Sequence, residues 1–147
     1  ASDFPKVLAA DQRQGEPRGL DWAMLMAAPL PRVMLVDDDP AVRRALALTL
    51  ELDGFAVETY ASGEALLQAP RPFAPGCLVL DERLPGRSGL DTLHQLRALG
   101  IDLPAILVTS HPSAALRAAA ARAGAPIVEK PLMGEVLAAA IRDLLAV

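Results

Sequence analysis

Cysteine is almost missing from the 147-residue chain, which holds only Cys77. A lone cysteine excludes an internal disulfide and any multi-cysteine zinc site, and it fits a reducing compartment, so the cytoplasm is the expected location. Long apolar runs are missing too. Those present are broken by Asp, Arg or Pro, well short of the roughly 18 residues a membrane span needs. The chain also lacks a basic surplus: 14 Lys+Arg stand against 18 Asp+Glu, a formal charge of -4. Neither nucleic acid nor an anionic membrane is therefore an expected partner. The opening residues, Ala1 to Pro5, carry no basic flank followed by an apolar run, so no export is expected. What is abundant is apolar residues, at 52%. That is enough for one domain with a real core plus an appendage.

Residues 1–31 read as an N-terminal extension, with Pro5, Pro17, Pro29 and Pro31 and no sustained periodicity. Within it, residues 20–28 hold the only tryptophan, Trp22, and two of the four methionines. Such a set is costly to leave in water, so a short docking helix is expected there, with a disordered leader as the alternative. From Arg32 to the end the pattern becomes regular. Short apolar runs at 33–36, 55–60, 77–80, 105–109 and 127–128 alternate with helical stretches at 40–52, 62–69, 88–99, 112–123 and 132–146. That alternation predicts a doubly wound α/β domain over 32–147, with a five-stranded parallel sheet and five helices. Asp39, Ser62 and Ser88 stand at helix-capping positions, and Gly54, Gly100 and Gly124 stand just past helix ends. The fourth helix is so rich in alanine that it forms readily and buries little, which makes it a weakly anchored element.

Polar residues fall at the strand ends with one polarity. Asp37-Asp38-Asp39 follow the first strand, Asp81 the third, Thr109 closes the fourth and Lys130-Pro131 follow the fifth. In an open parallel sheet all strand carboxyl ends share one edge, so these residues converge there. Clustered carboxylates repel one another unless a cation neutralises them, and a hard divalent ion such as Mg²⁺ suits an all-oxygen set. Mg²⁺, a fixed lysine and a hydroxyl suffice for phosphoryl transfer, and a carboxylate can act as the nucleophile. Asp81 is the best candidate, because it stands alone on the middle strand while Asp37 and Asp38 form a pair suited to the metal.

The segments Val36-Asp37-Asp38-Asp39-Pro40, Leu78-Val79-Leu80-Asp81 through Pro85-Gly86 and Ser88-Gly89, Val108-Thr109-Ser110, and Glu129-Lys130-Pro131 resemble the receiver domain of two-component response regulators. The Thr-Ser-His and Ile-Val-Glu-Lys-Pro segments lean toward the receivers of nitrogen-fixation-type regulators. The resemblance covers 32–147 and implies a flavodoxin-like sheet in strand order 2-1-3-4-5. By the same resemblance Asp81 is the phosphoacceptor, Asp37, Asp38, Asp81 and the backbone carbonyl of Arg83 hold Mg²⁺, Thr109 is the switch hydroxyl and Lys130 pairs with the phosphoryl group. Lys130-Pro131 is then a candidate cis bond. The implied partner is a sensor histidine kinase or phosphotransfer protein. A homodimer through the fourth helix, fifth strand and fifth helix is implied as well.

The family often has an aromatic residue where this chain has Ile127; Ile127 reads as ordinary strand packing, with signalling through the fourth helix and its preceding loop as the alternative. Arg83 and His111 are expected to flank the mouth of the site, either as solvated side chains or as residues that set the lifetime of a phosphorylated state. Glu82 reads as a surface residue and Cys77 as a small buried apolar one. No turnover of substrate is expected beyond self-phosphorylation from small phosphodonors and autodephosphorylation. Two rival readings fit the residues less well. A small haloacid-dehalogenase-type phosphatase would use Asp37 as nucleophile and Asp39 as acid-base, but Ala41 stands where that motif wants Thr or Val and no acidic pair follows Lys130. A phosphorylation-independent pseudo-receiver conflicts with the intact Asp37, Asp38, Asp81, Thr109 and Lys130. The output is left open between a stand-alone receiver, a relay intermediate and a piece of a longer regulator.

Overall fold

The computed structural model describes residues 30–70, 76–132 and 135–146. The 20–28 segment and its expected docking helix lie outside those residues. A compact unit begins at Pro31. It contains β1 (Arg32–Val36), β2 (Ala56–Tyr60), β3 (Gly76–Asp81), β4 (Ala105–Thr109) and β5 (Ile127–Glu129), alternating with α1 (Pro40–Leu52), α2 (Gly63–Leu67), α3 (Gly89–Ala98), α4 (Ala114–Arg122) and α5 (Val136–Leu145). All strand pairs are parallel, in the order β2-β1-β3-β4-β5. The fold is thus the flavodoxin-like one expected. No helix among the described residues is long and apolar enough to cross a membrane.

Successive strand residues point to opposite faces, and the core divides accordingly. Met34, Val36, Leu78, Leu80 and Leu107 face one layer, where Leu66 of α2, Leu90, Leu93 and Leu96 of α3, and Ala120 of α4 cover them. Val33, Leu35, Cys77, Val79, Ile106 and Val108 face the other, against Leu50 of α1 and Leu137, Ala138 and Ile141 of α5. Strands β3 and β4 are buried along their whole length, which is why they read as unbroken apolar runs. α4 buries only Ala120 completely, in line with its expected weak anchorage.

Helix starts follow the capping chemistry. The carboxylate of Asp39 accepts from the amides of Ala41 and Val42, and Pro40 occupies the first helical position, where no N–H is required. Ser62, Ser88 and Ser113 each accept an amide from the first turn of α2, α3 and α4. The last helix begins later than its expected start at 132, since α5 opens at Val136 with no side-chain cap. Leu132 packs against the same core layer as Leu137, so a loop residue carries the apolar signal that imitates an earlier helical turn.

The double coverage of the sheet makes a truncation test. Leu107, fully buried in β4, should cost about 3 kcal/mol of stability when changed to Ala. Leu52, 80% exposed on α1, should cost less than about 0.5 kcal/mol. Urea unfolding of both variants checks the contrast, and similar losses at the two positions would contradict the layered core.

Candidate functional site

Chain reversal between β1 and β3 creates a crevice at the carboxyl edge of the sheet, because α1 returns on one face and the helices after β2 and β3 on the other. Asp37 follows β1 there, and its amide donates to the carbonyl of Tyr60 at 3.1 Å, one residue beyond the β1–β2 register. Its carboxylate Oδ1 accepts the amide of Asp39 at 2.9 Å. Asp81 is the last residue of β3. Its Oδ1 accepts the amide of Arg83 at 3.1 Å, while Oδ2 accepts from Lys130 Nζ at 3.0 Å.

Asp37 and Asp81 are buried and Asp38 is exposed, and one carboxylate oxygen from each lies within 4.8 Å of the others. Thr109 ends β4 and is buried; its carbonyl accepts the amide of Lys130 at 2.9 Å, which ties the hydroxyl-bearing and ammonium-bearing residues to one edge. The Lys130-Pro131 peptide is cis. The sequence-derived set of Asp37, Asp38, Asp81, Thr109 and Lys130 therefore gathers at one edge. Arg83 and His111 carry exposed side chains in the loops after β3 and β4, and His111 adopts a positive φ of 47°.

Charge at this edge is unbalanced, with one ammonium facing three carboxylates. Burial pushes the Asp37 carboxyl above its ordinary value. The bond from the Asp39 amide and the charge of Lys130 oppose that rise, while Asp81 and Asp38 add to it. An all-oxygen cluster with an uncompensated negative charge is suited to a hard divalent cation. The donor chemistry thus fits Mg²⁺.

Two neighbours of the cluster differ from expectation or escaped it. Glu82 is half-buried rather than a surface residue. Its Oε1 accepts the amide of Leu90 at 2.8 Å at the start of α3, where an unpaired N–H and the helix dipole favour an anion. Burial nevertheless pushes its carboxyl upward. The available signal was an acid shortly before a helix start. Arg43 was not anticipated at all, and its Nη1 donates to the carbonyl of Asp37 at 2.7 Å. Gly89 packs under β3 so closely that a Cβ would stand 2.5 Å from the carbonyl oxygen of Asp81. Cys77 is buried, with its thiol pushed up to about 12 by burial, and acts as a small apolar residue.

Acidic residues, a threonine and a lysine at the carboxyl edge of this five-stranded parallel sheet define the class of flavodoxin-like receivers. The chain belongs to the response regulator receiver domain family, which it matches over residues 33–142, and it is thus a receiver of two-component signalling. It is 42% identical over 111 residues to the transcriptional regulatory protein FixJ of Azorhizobium caulinodans, covering 75% of this chain and 53% of that protein. The crystal structure of FixJ-N superposes with a TM-score of 0.70 at 38% identity, covering 76% of this chain and 90% of that one. The response regulator StyR gives a TM-score of 0.72 at 38% identity, with coverages of 79% and 59%. The chain spans about half the length of FixJ.

The raised Asp37 carboxyl has a definite pH consequence. Above the ordinary aspartate value of 3.8 the folded protein holds this proton more tightly than the unfolded chain, so stability is lost as pH rises through the folded value. Asp37→Asn, which keeps an acceptor for the Asp39 amide, should therefore raise the unfolding free energy at pH 7 in chelator-treated buffer. The gain should vanish below the ordinary value, where both states are protonated. Urea titrations at pH 7 and pH 3 measure it, and a variant no more stable than wild type at pH 7 would refute the burial argument.

Proposed function

We propose that Asp81 accepts a phosphoryl group from a phosphohistidine on a sensor histidine kinase or phosphotransfer protein. The reading rests above all on the 3.0 Å contact between Lys130 Nζ and Asp81 Oδ2 inside the three-carboxylate cluster. An Asp81 oxygen forms the new O–P bond as the donor's P–N bond breaks, and the electron pair leaves with the imidazole, which takes up a proton. Asp37, Asp38, Asp81 and the backbone carbonyl of Arg83 would hold Mg²⁺, which when bound neutralises phosphoryl oxygens and the carboxylates together. Lys130 stays beside the phosphoryl group as a fixed counter-charge. The Thr109 hydroxyl donates to the Ser110 carbonyl at 3.5 Å, a long bond that it would exchange for the new phosphoryl oxygens.

That movement shifts the balance between arrangements of α4 and the loop before it. The small side chains of α4 leave a cleft of about 250 Å³ against β5, lined by Arg117, Ala120, Ala121, Gly124, Ala125, Pro126 and Ile127. The face formed by α4, β5 and α5 is the surface we assign to a homodimer. Arg83 and His111, exposed beside the site, would govern access of water to the acyl phosphate. The net charge of -4 disfavours direct nucleic-acid or membrane contact by this chain, and we place it in the cytoplasm with its phosphodonor. The phosphatase alternative is weakened by Asp39, whose carboxylate is engaged in capping α1.

Incubation with Mg²⁺ and acetyl phosphate should add one phosphoryl group to the wild type and none to Asp81→Asn, read by intact-protein mass spectrometry. Thr109→Ala should still label but lose any change in elution volume on size-exclusion chromatography. A wild type that labels neither from acetyl phosphate nor from a competent histidine kinase would leave a phosphorylation-independent binding module. Catalytic turnover of a generic phosphate ester would favour the phosphatase.

A further inference from the structure

We propose that Arg43 is a positioning residue for the divalent-cation site, acting through the main chain of Asp37. The inference rests on the phosphoacceptor reading above. Arg43 lies in the first turn of α1, and its Nη1 donates to the Asp37 carbonyl at 2.7 Å. That is a short, charge-assisted bond from a half-buried side chain. Its own amide donates to the carbonyl of Asp39 at 2.8 Å, so both ends of the residue grip the acidic loop.

The location of the bond matters more than its strength. Strand β1 ends at Val36, and its register with β2 ends at the Val36–Tyr60 pair. The Asp37 carbonyl therefore lies beyond the ladder, and Arg43 supplies the partner that the sheet no longer gives. This oxygen belongs to the peptide plane linking Asp37 to Asp38, so fixing it fixes the orientation from which both carboxylates leave the chain. Asp37 is further restrained by the Asp39 amide at its Oδ1. Asp38 is exposed and depends on that peptide for its aim toward Asp81. Loss of a group that orients a metal ligand typically costs about 10- to 100-fold in metal affinity.

Two effects of Arg43 oppose one another. Its positive charge repels a cation, so charge alone would make removal tighten Mg²⁺ binding. Its anchoring bond aligns two ligands, so loss of position would weaken binding. The guanidinium is directed at a backbone carbonyl, and the positioning effect dominates.

The test is calorimetric titration of the full chain with MgCl₂ alone, for wild type, Arg43→Met and Arg43→Lys, alongside acetyl phosphate labelling across a Mg²⁺ series. Arg43→Met keeps an apolar stem without donor or charge and should weaken Mg²⁺ about tenfold, with labelling restored at saturating Mg²⁺. Arg43→Lys should fall between it and wild type. Equal or tighter Mg²⁺ binding by Arg43→Met would overturn the inference while leaving the phosphoacceptor reading intact. If thermal melting shows that Arg43→Met does not fold, Arg43→Lys decides: weaker binding supports the role and unchanged binding overturns it. A wild type that binds no Mg²⁺ would overturn the site reading and this inference together.

Discussion

One ammonium among three carboxylates is the constraint around which this domain is arranged. Lys130 offsets Asp81 directly, at 3.0 Å, and leaves Asp37 and Asp38 without an equal counter-charge in the cluster. A charge held in a partly dry crevice opposes folding, and the upward push on Asp37 is the mark of that opposition, set first by burial and only secondarily by the neighbouring Asp81 and Asp38. The sheet can impose the arrangement because β1, β3 and β4 are buried on both faces by two separate apolar layers. Stability held in the core thus sustains an electrostatic imbalance at the edge, the usual relation between a scaffold and a site.

That division explains which parts of the molecule were legible from sequence. The central strands announce themselves because burial on both faces demands unbroken runs such as Cys77 to Leu80 and Ala105 to Thr109. Helix starts were readable from Asp39, Ser62 and Ser88, whose side chains do accept first-turn amides. The convergence of Asp37, Asp38, Asp81, Thr109 and Lys130 followed from strand polarity alone. The strand order did not, and came from family resemblance.

What stayed hidden has a common cause: the sequence shows residue types, while backbone partners leave no trace in it. Leu132 looked like the first turn of the last helix, because an apolar loop residue packed on the core has the same signature as a helical one. Glu82 looked solvent-exposed, because charge ordinarily means surface, and the unpaired amide of Leu90 that draws it inward is invisible in a string of letters. Arg43 sat unnoticed in an amphipathic helix for the same reason, its partner being a carbonyl.

The two ends of α4 are held unequally, and this gives direction to any signal that starts at the site. At its far end Arg97 of α3 donates to the carbonyl of Ala123, the C-terminal cap of α4, and to that of Leu103, each at 3.1 Å. Ala120 and Ala125 are buried beside them. At its near end the helix rests on the Ser113 cap and on a loop in which His111 already occupies the left-handed region, with Ala114 and Ala115 exposed. One lateral tie reaches the middle of the helix, from Arg117 to Glu129 at 2.6 Å. Both partners are about half exposed, so solvent screens the tie and it contributes little. On the proposed mechanism a displacement of Thr109 would therefore be taken up first by the end of α4 that has least to lose, with the Arg97 end held. Elements that move in switching are drawn from such weakly held regions, and here the weakness comes from alanines that bury little area, against a far end that Arg97 of α3 clamps.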